Sequence, residues 1–137
     1  MIDYAALRAE LRLPAEVQRG QPVPLVLVVR NTSDRPVWLQ FGDSTYAFDF
    51  TVGRPDGEEV WSRRFRLRGD AIPAILRLIP IPAGDSVRFT DTWDQRGNGG
   101  ARVSPGMYTV RGTFDTQEDL DRPDDMKTQP GSLTIAP

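Results

Sequence analysis

The feature that most constrains this chain is a period of two in its apolar residues, restarted after each cluster of Gly, Pro, Asn or Asp. Leu7, Ala9, Leu11 and Leu13 alternate with Arg8, Glu10 and Arg12. Successive side chains of an extended strand point to opposite faces, so this pattern predicts a half-buried strand, with a helix as the competing reading of this first segment. After Pro14 and the Gly20–Pro22 stretch, the β-branched run Val23–Val29 predicts a second strand, closed by the turn residues 31–36. Val37, Leu39 and Phe41 repeat the period, as do Phe48, Phe50 and Val52.

Pro55-Asp56-Gly57 is a turn with a mechanism, because Pro presets φ, Asp bonds the backbone ahead and Gly accepts a positive φ. The segment 59–65 is therefore expected to pair back on its predecessor as a hairpin strand. In the irregular region 66–82, Pro73, Pro80 and Pro82 preclude a continuous central strand. Val87, Phe89, Asp91 and Trp93 then share one face, and after a loop rich in Gly97, Gly99 and Gly100 so do Tyr108, Val110, Gly112 and Phe114. An acidic, proline-broken stretch at 115–129 precedes a closing strand around Leu133 and Ile135. Seven to nine short strands at near-regular spacing describe an all-β, immunoglobulin-like two-sheet antiparallel sandwich. A chain of 137 residues predicts one domain, residues 1–137.

Charge and side-chain chemistry exclude several function classes. A net charge of -2 gives no overall electrostatic footprint for nucleic acid, and the longest apolar run, Leu25–Val29, is far too short to span a membrane. Neither partner is expected. The chain has no Cys and no His, which removes disulfides, thiol nucleophiles, thiolate metal sites and the commonest acid–base group. Carboxylates remain, but Asp91 and Asp94 are three apart on one strand and point to opposite faces. The chain is therefore read as a binding protein without catalytic residues, cofactor or metal, and as a monomer. The first residues lack the basic and apolar regions of a secretory signal, so the chain as given is expected in the cytoplasm, or exported if a leader has been removed.

The order of signals from Leu25 to Phe114 resembles the bacterial intracellular proteinase inhibitor (BsuPI-type) family. The matching pieces are Leu27-Val-Val-Arg-Asn31 with Arg35-Pro-Val37, then Phe41 with Tyr46-Ala-Phe-Asp-Phe-Thr-Val52. Asp56-Gly-Glu-Glu-Val-Trp61 follows, then Pro82-Ala-Gly-Asp85 with Phe89 and Thr92-Trp-Asp94, and finally Pro105-Gly-Met-Tyr-Thr-Val110. The resemblance implies an immunoglobulin-like sandwich and inhibition of a subtilisin-type serine protease. It supplies no reactive-site motif to carry over. The alternative is a non-inhibitory interaction module of a larger assembly or cell surface.

Four regions compete as contact surfaces. Ile72, Pro73, Ile75, Leu76, Arg77, Leu78 and Ile79 would present a proline-stiffened strand to a protease cleft, and the plainer reading is an edge strand completing the core. Trp38 lies on the face opposite Val37, Leu39 and Phe41, which in a two-layer sandwich is the solvent face. Trp93 and Tyr108 instead read as core. Arg96 and Arg102 stand in the Gly-rich loop, which is otherwise a mobile hairpin connection. The acidic run Glu118, Asp119, Asp121, Asp124 and Asp125 could offer oxygens to calcium, but lacks an EF-hand pattern and reads as a solvated run. Arg68-Gly69-Asp70, an adhesion tripeptide by spelling, is read as a chance match in an exposed turn.

Overall fold

Alternation and turn chemistry are realised as eleven strands and one short helix in the computed structural model, which describes residues 6–41, 47–67, 77–114 and 126–137. In chain order these are β1 (Leu7–Arg12), β2 (Glu16–Gln18), β3 (Val23–Asn31), β4 (Val37–Phe41), β5 (Phe48–Gly53), β6 (Glu59–Ser62) and α1 (Arg63–Arg66). They continue with β7 (Arg77–Ile81), β8 (Ser86–Trp93), β9 (Gly106–Phe114), β10 (Met126–Lys127) and β11 (Gly131–Ala136).

The strands form a three-stranded sheet, β1-β3-β8, and a larger sheet ordered β2-β11-β9-β5-β6, with β10 also on β9. A third pair, β4-β7, stands as a ribbon of its own, joined to β3 and β8 by short connections. This is the expected all-β sandwich. Pairing is antiparallel except between β11 and β2, which run parallel with Thr134 beside Glu16 and Ala136 beside Gln18.

The two main sheets bury their alternating faces against each other. β3 contributes Leu25, Leu27 and Val29, and β8 contributes Phe89 and Trp93. Facing them are Phe48, Phe50 and Val52 of β5, Tyr108, Val110 and Phe114 of β9, and Leu133 and Ile135 of β11. Aromatic rings weld the layers, with Trp93 edge-on to Tyr108 at 5.9 Å and Phe89 5.1 Å from Phe114. Gly112 takes an inward slot of β9 because a Cβ there would come within 3.1 Å of Leu27. The Tyr108 hydroxyl donates to the Ser104 carbonyl at 2.5 Å, the tyrosine-corner arrangement of immunoglobulin-like sandwiches.

The first segment is a strand, paired along its whole length with β3, and not a helix. The turn at 54–57 forms as expected, with Gly57 at φ 95 donating to the Arg54 carbonyl and Asp56 Oδ1 accepting from Glu58 N. The expected strand 59–65 stops at Ser62, whose Oγ accepts from Phe65 N at 3.1 Å and caps α1. Pro24 is tolerated inside β3 because it lies beyond the last residue paired with β1, where β8 is the neighbour.

Candidate functional site

Among the described residues, the β4-β7 ribbon carries two of the four exposed large apolar side chains. Its register sets Val37 against Ile81 and Leu39 against Ile79, and these side chains turn inward, Ile79 only partly buried. The other face, by the same register, holds Trp38 opposite Pro80 and Leu78 one pair further along. Trp38 is 52% exposed and Leu78 55%, so a large aromatic and a large aliphatic side chain share one outward face. That is the arrangement expected for Trp38.

Asn31, fully buried at the end of β3, fastens the ribbon to the sandwich. Its Nδ2 donates to the carbonyls of Arg35 (2.8 Å), Ile81 (2.9 Å) and Pro82 (3.3 Å), while Oδ1 accepts from Ser33 N and Ser33 Oγ. One amide thus ties both connections of the ribbon.

A second anchor sits under α1. Arg63 is buried, donates from Nη1 to the Phe48 carbonyl at 3.0 Å and lays its guanidinium 3.8 Å from the centre of the Phe48 ring. Its Nε is 3.0 Å from Asp91 Oδ2, and Asp91 also binds Arg66. Burial pushes the Arg63 guanidinium below its usual value, and the Asp91 charge opposes that shift. On the neighbouring strand, burial raises the Asp49 carboxyl above 3.8, although the Arg64 N–H donates to it. A carboxyl with a raised folded pKa holds its proton more tightly when folded, so its contribution to stability is fullest below 3.8 and declines as pH climbs through the folded value. Asp49→Asn keeps the acceptor for Arg64 N, and its stability is expected to fall less than that of the unmodified chain across this window. Thermal unfolding at a series of pH values measures the difference.

The Gly-rich loop is fastened where the sequence suggested a mobile connection. Asn98 N donates to the Val60 carbonyl and its Oδ1 accepts from Ser62 N, while Gly97 N closes on the Ala101 carbonyl. Gln95, buried and at φ 63, donates from Nε2 to the carbonyls of Gln18 and Gln21 and accepts from Gly20 N. Arg96 donates to the Gly100 carbonyl of its own loop, and Arg102 is exposed, its backbone bridged to Arg96. Neither joins Trp38 and Leu78 on the ribbon. Trp93 and Tyr108 are core, as expected.

Ile72, Pro73, Ile75 and Leu76 lie outside the described residues, as do the Arg68-Gly69-Asp70 tripeptide and the acidic run 118–125. Arg77 opens β7 opposite Phe41. The sequence does not mark Asn31, Arg63, Asp91 and Gln95 as anchors, because a single polar letter in a strand pattern does not show which distant carbonyl or charge it meets.

The intracellular proteinase inhibitor (BsuPI) family pattern matches residues 10–119, which takes in the ribbon, α1 and the Gly-rich loop. The chain belongs to that family. No curated protein matches this BsuPI member by sequence. Among solved structures it is similar to the alkylpurine DNA glycosylase AlkC of Pseudomonas fluorescens, solved bound to DNA containing an abasic site analog, with 12% identity and a TM-score of 0.50. That likeness covers 96% of this chain and 31% of the glycosylase, so the chain spans about a third of that protein and shares its fold there. The CARDB domain of a Pyrococcus furiosus protein, solved in complex with di-metal ions, aligns over 95% of this chain and 87% of its own, at 11% identity and a TM-score of 0.48. A β-glucosidase from Listeria innocua, solved in complex with glucose, aligns over 96% of this chain and 16% of its own, at 12% identity and a TM-score of 0.47. Among the described residues no helix is long and apolar enough to cross a membrane.

Proposed function

We propose that this BsuPI member inhibits a subtilisin-type serine protease, acting by binding and not by turnover, and that the β4-β7 ribbon with the segment 72–79 is its contact surface. The observation that carries this reading is the pairing of Trp38 and Leu78 on one outward face. Exposed large apolar side chains on a rigid element are the raw material of interface anchors, because their burial against a partner removes apolar area from water at little cost in ordering. Membership of an inhibitor family supplies the class of partner. Pro80, opposite Trp38, stiffens the strand that would be presented.

The test is titration of a subtilisin-type protease with the purified chain and with Trp38→Ala/Leu78→Ser. The unmodified chain is expected to inhibit stoichiometrically, and the double variant to raise the inhibition constant by about 30-fold or more, the effect of losing one interface hot spot. Full protease activity in molar excess of the chain would refute the inhibitor reading. Equal inhibition by the double variant would refute the ribbon as the surface.

A further inference from the structure

The outward face of the larger sheet holds a recess of about 320 Å³ beside the turn that joins β5 to β6. Two neighbouring rows of the sheet build it. In one, Arg111 of β9 stands opposite Thr51 of β5, and in the next, Thr109 of β9 stands opposite Gly53, which also pairs with Glu59 of β6. Val52 and Val110, the residues between these rows, point inward and are fully buried. Gly53 leaves the floor without a side chain, and a Cβ there would come within 3.1 Å of the Glu58 carbonyl oxygen. The close approach of the hairpin's own backbone therefore keeps the recess open.

The polar side chains around the recess have hydrogen-bonding capacity that the chain itself does not use. Those of Thr51, Thr109 and Arg111 enter no hydrogen bond or ion pair among the described residues. Arg54, also at the recess, is engaged elsewhere, with Nε 3.9 Å from Glu58 Oε2 and its guanidinium 6.0 Å from the centre of the Tyr108 ring. Glu59 is exposed and forms no ion pair among the described residues, and its Oε2 accepts from Asn98 Nδ2 at 3.3 Å. One unpaired cation and one unpaired acid thus stand two strands and one outward position apart, about 12 Å between Cα atoms at ordinary sheet spacings. The volume is at the lower end of small-molecule sites, which begin near about 300 Å³.

We propose that this recess binds a small zwitterion of the basic amino-acid class, with its carboxylate on Arg111, Thr51 and Thr109 and its side-chain cation directed across Gly53 to Glu59. A carboxylate accepts at both oxygens, so it can take the forked donors of a guanidinium and hydroxyl donors together. Its charge of one matches the single unpaired guanidinium. A phosphate dianion would bring a second negative charge toward Glu59 with no second free cation to meet it. A basic side chain instead brings an opposite charge to Glu59, and its flexible aliphatic stretch spans the floor at Gly53. The site lies on strands other than the ribbon and does not depend on the inhibitor reading.

The experiment titrates the full chain with four probes and follows backbone amide chemical shifts. The probes are L-arginine, agmatine (the same molecule without the carboxylate), L-norvaline (which lacks the side-chain cation) and inorganic phosphate. L-arginine is expected to bind saturably and to shift the amides of Thr51, Gly53 and Thr109, with agmatine and L-norvaline at least about tenfold weaker, since each loses one charge-assisted contact. Arg111→Gln is expected to abolish the preference for L-arginine over agmatine, and Glu59→Gln the preference over L-norvaline, both at an unchanged melting temperature. A merely structural role would move the melting temperature and leave these preferences alone. The proposal is overturned by absence of saturable L-arginine binding, by equal binding of agmatine, by preferences that survive both substitutions, or by tighter binding of phosphate that Arg111→Gln abolishes.

Discussion

Asp91→Ala is expected to lower the stability of the protein by about 3 kcal/mol, read as a lower urea midpoint at unchanged m value. Asp91 is the shared counter-ion of Arg63 and Arg66, and Arg63 is buried with its Nε 3.0 Å from the carboxylate. Removing the acid takes from a buried guanidinium the strongest charge that compensates it, and that loss exceeds the net worth of the pair itself. The same reasoning predicts a different outcome for Arg63→Met with Asp91→Leu. Desolvation already opposes the charged state of Arg63, so replacing both partners by apolar side chains is expected to leave stability close to that of the unmodified chain. If Asp91→Ala unfolded at the unmodified midpoint, the cluster would not be what holds α1 against β5 and β8.

Asn31→Ala is expected to cost about 3 kcal/mol as well, since it strips the amide from the carbonyls of Arg35, Ile81 and Pro82 and leaves the buried Ile81 acceptor unmet. Its second consequence is functional. The amide fixes the ribbon on which Trp38 and Leu78 stand, so below its melting temperature the variant is expected to inhibit a target protease more weakly. Amide hydrogen exchange should show faster exchange in Val37–Phe41 than in Tyr108–Phe114, separating a loosened ribbon from a loosened core. Equal protection of both strands, with inhibition intact, would place the ribbon's rigidity elsewhere.

Much of the fold is legible from letters, and the reason is local. Alternation in 7–13, 23–29, 48–52 and 106–114 dictates which side of each strand is buried, and the turn at 54–57 sets one hairpin through Gly57 and Asp56 alone. Trp38 could be placed on the solvent side because Val37 and Leu39 could only face inward. What stayed hidden is whatever depends on residues distant in sequence. Ser62 ends a strand that the apolar pattern would carry on to Phe65, because it caps a helix whose Arg63 meets an acid on β8. Gln95 reads as a loop residue until Gln18 and Gln21 are brought beside it. The apposition of Arg8 and Arg30 is hidden for the same reason, since they become neighbours only when β1 and β3 are in register.

The parallel pairing of β2 with β11 carries a consequence for how the chain reaches this state. Glu16 finds its place beside Thr134, so almost the whole sequence separates the two halves of that ladder. Closing so large a loop is slow, and it comes after the local β5-β6 hairpin and the β1-β3 pair have lowered the entropy that remains. During synthesis the edge of the larger sheet therefore waits unpaired until its last strand leaves the ribosome. Over that interval β11's place on β9 stays open to any other extended chain, a window of exposure that ends when Gly131–Ile135 seals it.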